Sequence, residues 1–171
     1  MTAKQSLFIY VSAAGTARHV GELIDGAVAE GWEVYTVGSE NLAMIMLPAD
    51  LLARPGVHWV SNYGAPPLDR FPFGTMLVAP CTFNTFNKLA HGIGDTLLTA
   101  MVADAIGAGL PVFVAPSMNH GLWNHPQTRE SHQRLTSWGV QIIEPQISPT
   151  RVVMAPIPDV LARIRRHFAE S

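Results

Sequence analysis

Short, unbroken apolar runs alternate with longer segments of helical apolar spacing along all 171 residues of the chain. This alternation constrains the fold more than any other feature. Strands covered on both faces read as continuous apolar runs, and parallel neighbours need a crossover between them, usually a helix. The runs predict strands over 7–11, 33–37, 57–60, 75–79, 111–115 and 140–143, with helices over 16–30, 40–53, 82–91, 95–107, 127–138 and 158–168. In the first helix Val20, Leu23, Ile24 and Val28 recur at helical spacing and Gly31 marks the stop, while Pro48 should break or restart the second. The order implies one α/β domain over 1–171 with a parallel sheet. The stretch 61–74 has no period and holds Pro66, Pro67 and Pro72, so it reads as a long loop that either lines a site or is a surface insertion. A second irregular piece, 144–150, carries Pro145 and Pro149.

Composition narrows the function. Eleven Lys and Arg stand against 13 Asp and Glu, a formal charge of -2 with no block of one sign, which removes the electrostatic footprint of nucleic-acid or anionic-membrane binding. Charged residues are only 14% of the chain, against about 25% in an average soluble domain. Such a surface is short of polar cover, and a homo-oligomer is the expected remedy. No apolar run reaches the roughly 18 residues of a membrane span. The lone Cys81 excludes an internal disulfide and a cysteine-rich zinc site. Without a secretory signal at the start of the chain, the expected location is cytoplasmic.

In an open parallel sheet, ligands sit beyond the carboxyl ends of the strands. After the first strand comes S-A-A-G-T-A, a small-residue turn in which Ser12, Ala14 and Thr16 open a helix. Such a turn offers amides to an anion, although Thr16 alone could be an N-cap. It matches neither G-x-G-x-x-G nor a Walker loop. Ser39 ends the second strand and Thr82, Asn84 and Thr85 follow the fourth, so hydroxyls at several helix starts converge on one phosphate-bearing ligand. The fifth strand runs into P-S-M-N-H-G-L-W, where Asn119 either caps a short helix or binds something and Trp123 either packs in the core or lies over a ligand.

Two motifs resemble one family. P-C-T-F-N-T-F-N-K-L-A-H-G-I-G-D, from Pro80 to Asp95, is similar to P-x-S-A-N-T-x-x-K-x-A-x-G-x-x-D, and Pro116 to Trp123 is similar to P-A-M-N-x-x-M-W. Both belong to the homo-oligomeric flavin-containing cysteine decarboxylases, which include phosphopantothenoylcysteine decarboxylases and the peptidyl-cysteine decarboxylases of lanthipeptide-type pathways. The resemblance implies a flavodoxin-like Rossmann three-layer sandwich, assembled as a homotrimer or homododecamer, with FMN near subunit contacts. By position, Ser12, Ala14, Thr16, Ser39, Thr82, Asn84, Thr85 and Met118 would bind FMN, and Asn119 would face the substrate carboxylate. The implied reaction oxidises a cysteine side chain to a thioaldehyde, from which carbon dioxide leaves to give an enethiolate.

The chain departs from that pattern in two places. The family's upstream histidine position falls on Pro66, which leaves His58 as the catalytic candidate, with His91 and His120 as substitutes. There is no cysteine after Cys81, so the reductive step of coenzyme A synthesis is disfavoured and the product should stay an enethiol. The substrate is then a cysteine-containing peptide or small thiol acid. Two other readings stay open: an FMN-binding redox or accessory protein without decarboxylase activity, and a flavin prenyltransferase.

Overall fold

A computed structural model describes residues 5–47, 49–62 and 68–170. Six strands form the main sheet: β1 (Ser6–Val11), β2 (Glu33–Gly38), β3 (Val57–Trp59), β4 (Thr75–Cys81), β5 (Val112–Pro116) and β7 (Gln141–Ile142). Their order is β3-β2-β1-β4-β5-β7, and every pairing in this sheet is parallel. This is the doubly wound arrangement, and its order reverses between β1 and β4. The expected three-layer α/β sandwich is present.

Side-chain alternation along the strands builds two cores. Leu7, Ile9 and Val11 of β1 pack with Leu77 of β4 against α1 (Val20–Ala29) and α7 (Ile157–Ala169). On the other face Phe8 and Tyr10 pack with Met76 and Val78 against α3 (Phe83–Ala90), α4 (Leu97–Gly107) and α6 (Pro126–Ser137). The pairing of β4 with β5 shifts register between Val78 and Cys81, which turns Cys81 toward the second core. Burial there pushes the Cys81 thiol well above its ordinary range, so it is a packing residue and no thiolate nucleophile.

Several boundaries differ from the sequence reading. The first helix begins as a tight 3-10 turn over Gly15–His19, and only from Val20 is it α-helical. The predicted helix over 40–53 is reduced to a 3-10 turn at Leu42–Met44 and the four-residue α2 (Ala49–Leu52); Pro48 lies outside the described residues. Strand β4 continues past Ala79 to Cys81. A second sheet, absent from the sequence reading, joins β6 (Met118–Asn119), β9 (Arg151–Val153) and β8 (Gln146–Ile147) in antiparallel order. Gly74 enters β4 at φ +78°, where a Cβ would lie 2.7 Å from the Ser6 carbonyl oxygen, so glycine is required there.

Candidate active site

A cleft of about 920 Å³ opens over the carboxyl ends of β1, β4 and β5, beside the β1/β4 switch. Its size suits a cofactor or small substrate. One wall is made by chain ends locked together. Ser12, only 2% exposed, donates its hydroxyl to the Pro80 carbonyl at 2.6 Å and accepts from the Thr82 amide at 3.1 Å, tying β1 to β4. Thr16 donates to Ser117 Oγ at 2.9 Å, and the Ser117 amide donates to the Cys81 carbonyl at 2.9 Å, which ties the first helical turn to β4 and β5. Thr82 is the N-cap of α3: its hydroxyl accepts from the Thr85 amide and donates to Thr85 Oγ1 at 3.1 Å. The first amides of α3 and of the turn at Gly15 have no carbonyl to meet in their own helices, so both can meet an anion in the cleft.

Of the residues picked from sequence, Ala14, Thr16, Thr82, Asn84, Met118 and Asn119 all line this cleft. Ser12 and Thr85 do not. Both hydroxyls are buried and spent on the internal bonds just described, so these residues shape the wall from behind. Ser39 also lies off the lining; its amide donates to the Val11 carbonyl and its buried Oγ has no partner among the described residues.

The structure does not bring His58 to the cleft. It is the middle residue of the three-residue β3, in register with Tyr35 of β2, where its ring stacks on Tyr35 at 4.9 Å and its Nε2 is 3.4 Å from Glu33. β3 is the edge strand of the sheet, two places from β1 and the β1/β4 switch, and this separates His58 from the other candidates. The position of the family histidine, Pro66, is outside the described residues, and none of the described loop residues lines the cleft. Phe71 and Phe73 of that loop instead pack on Phe8. His91 bonds to the Asn87 carbonyl and His120 to the Asn124 amide, and neither lines the cleft.

Asn119 is at the N-cap of α5 (His120–Trp123), yet its side chain makes no capping bond, and its exposed amide is free to meet a ligand. Trp123 is partly buried and lies off the cleft. The cleft residues missed by the sequence reading include both of its basic side chains: His19, in the last turn of the 3-10 helix, and Arg151, at the start of β9. With them the lining carries two basic side chains and no Asp or Glu, in a chain whose net charge is -2. The apolar part is supplied by Phe83, Met118, Leu122, Val153 and Met154. Hydrogen-bond donors, basic groups and an apolar side suit a ligand with an anionic end and a flat apolar end. Among the described residues no cluster of His, Cys, Asp and Glu could hold a metal ion, and no helix is long and apolar enough to cross a membrane.

The Flavoprotein family model matches residues 2–169. The chain belongs to the Flavoprotein family. Among curated relatives it is 30% identical to the coenzyme A biosynthesis bifunctional protein CoaBC of Thermococcus kodakarensis, over 81% of this chain and 36% of that protein. It is 39% identical to a phosphopantothenoylcysteine decarboxylase of Oryza sativa subsp. japonica, over 41% of this chain and 31% of that one. This flavoprotein thus spans about a third of the length of these relatives. Among solved structures, a PPC decarboxylase variant complexed with pantothenoylaminoethenethiol is 25% identical, with a TM-score of 0.82 over 99% of this chain and 100% of the other. The FMN binding protein AtHal3, 23% identical over 99% of both chains at a TM-score of 0.83, shares the fold.

Proposed function

We propose that the cleft holds FMN and that the chain oxidatively decarboxylates a cysteine-containing peptide or small thiol acid to an enethiol. The observation that carries this reading is the acid-free cleft at the strand switch, whose lining brings together the free amide of Asn119, the small-residue turn and the start of α3. The residues present fit the cofactor. The turn 13–16 with Thr82 and Asn84 would hold the phosphate and ribityl chain; Ser39, off the lining, is not among these groups. Met118 and Leu122 would offer the apolar contact for a ring. When bound, FMN supplies the two-electron acceptor for oxidation of the substrate cysteine.

The remaining work falls to the chain's own groups. Asn119 offers its amide N-H to the substrate carboxylate and orients it without adding charge. His19, whose Nδ1 lies 3.8 Å from Glu22, is the histidine on the cleft and can accept or return a proton at Nε2. The phenylalanine, leucine and methionine lining limits water near the reacting carbon. Exposed Met44 and Leu47, at 82% and 66%, are apolar surface that assembly, as a homotrimer or homododecamer, would cover.

The absence of His58 from the cleft favours one second reading, an FMN-binding redox or accessory protein without decarboxylase activity. One experiment divides the two. The purified protein is checked for a flavin absorption band, then incubated with peptides ending in cysteine, and products are weighed by mass spectrometry. Loss of carbon dioxide together with two hydrogens supports the decarboxylase. A yellow protein that leaves varied cysteine peptides and thiol acids intact supports the accessory reading, and a protein that cannot be loaded with FMN overturns both.

A further inference from the structure

Arg151 is not accounted for by the proposed chemistry. It lies directly opposite Asn119 in the antiparallel pairing of β6 with β9, and both residues line the cleft. Residues opposed in this way have Cβ atoms about 5 Å apart, so the longer arginine stem carries its charge a few ångströms beyond the amide. The guanidinium is exposed and has no acidic partner among the described residues, whereas Arg54 pairs with Asp25 and Arg165 with Glu30, all four of them off the cleft lining. No Asp or Glu lines the cleft to neutralise it.

The direction of charge flow in decarboxylation decides what such a group can usefully hold. As the carboxylate leaves, its bonding electron pair moves to the substrate carbon and the departing group becomes neutral carbon dioxide. A guanidinium paired with that carboxylate would bind the ground state more tightly than the transition state and slow the step. The neutral amide of Asn119 carries no such penalty. We propose that Arg151 is a specificity-determining residue that binds a second, non-reacting carboxylate, one residue away from the carboxylate held by Asn119. The substrate class is a peptide ending in cysteine with an acidic residue before it. This inference rests on the proposed decarboxylase reading for the identity of the reacting residue, but its test does not require turnover.

The test uses the full chain as purified, with flavin content measured first. Peptides ending in serine, which cannot be oxidised as cysteine can, are titrated by calorimetry with either Asp or Asn in the penultimate position. The wild type is expected to bind the Asp peptide about tenfold more tightly. Arg151→Met should bind both peptides equally with flavin content unchanged, Arg151→Lys should restore part of the preference, and Arg151→Glu should favour the Asn peptide. No preference in the wild type, no binding of either peptide, or a preference that survives Arg151→Met would overturn the proposal. So would loss of flavin from Arg151→Met, which would put the guanidinium on the cofactor. A colourless wild type that still prefers the Asp peptide would count against the FMN reading alone.

Discussion

The two walls of the cleft differ in how their polar groups are used. At the ends of β1, β4 and β5 the hydroxyls of Ser12, Thr16, Thr82 and Thr85 are bonded to one another's segments, to Ser117 or to backbone, so each hydroxyl is fixed in place. Elsewhere on the lining, the short β6–β9 ladder presents Asn119 and Arg151, both exposed and uncommitted among the described residues. Bonded hydroxyls cost little reorganisation when an invariant partner binds, whereas free side chains on a small sheet can be exchanged without disturbing a core. The first wall thus suits a cofactor and the second a substrate. If this division is right, changes in the two walls should separate flavin retention from turnover.

The largest separation is expected at Asn119. Asn119→Ala removes an amide with no structural bond to lose, so flavin content and melting temperature should stay at wild-type values while turnover of a cysteine-ended peptide falls on the order of 100-fold. Absorbance and single-turnover mass spectrometry read the two quantities on the same sample. Loss of flavin in this variant would erase the distinction between the walls.

Ser12→Ala probes the opposite wall. It leaves the Thr82 amide without its acceptor at a site only 2% exposed, and a loss of about 2 kcal/mol in unfolding free energy is expected by denaturant titration, with weaker flavin retention. A variant as stable as the wild type would show that the β1–β4 tie contributes nothing to the wall. Asn84→Asp should be milder, because Asn84 is exposed and the fold does not depend on it. Setting a carboxylate among the groups proposed to hold the phosphate should weaken FMN binding about tenfold. Equal retention by equilibrium dialysis would remove Asn84 from the phosphate site.

The same division explains what the sequence disclosed. The sheet was legible because β4 and β5 are fully buried, as is β1 from Leu7 onward, and the three read as apolar runs. Strand β4 was cut short at Ala79 because proline is disfavoured in a strand interior, and yet Pro80 continues it to Cys81. The first wall was legible too, since a hydroxyl residue at a helix start is a recognisable local signal. What the sequence did not disclose is whether such a hydroxyl faces the cleft, as with Thr16, or turns behind it, as with Ser12. Of the second wall Met118 and Asn119 were legible through their motif, but the small sheet that carries them was not, because its strands hold only two or three residues and β8 and β9 lie in a stretch with Pro145 and Pro149. Arg151 left one signal, a lone cation opening the apolar run R-V-V-M. His58 was misplaced because its strand is the edge of the sheet, two places from β1, and the order of strands is not legible in a local apolar run.

The smallest effect is expected where the first motif turns away from the cleft. Lys88 and Asp95 pair at 2.6 Å across the turn that joins α3 to α4, on a surface where Asp95 is half exposed. The Lys88 hydrogen bond holds the Asp95 carboxyl below its ordinary value of 3.8. The folded state therefore binds a proton at Asp95 less readily than the unfolded chain does. The resulting stabilisation is complete above pH 3.8 and is lost as pH falls through the lower, folded value. Lys88→Met should flatten this part of the acid melting profile, and high salt should do the same in the wild type, because exposed pairs are screened. Flavin content at neutral pH should not change in the variant. Superimposable acid profiles for the two proteins would show that the pair does not stabilise the turn. A drop in flavin content would mean that the motif's lysine acts on the cleft wall after all, through the position of α3.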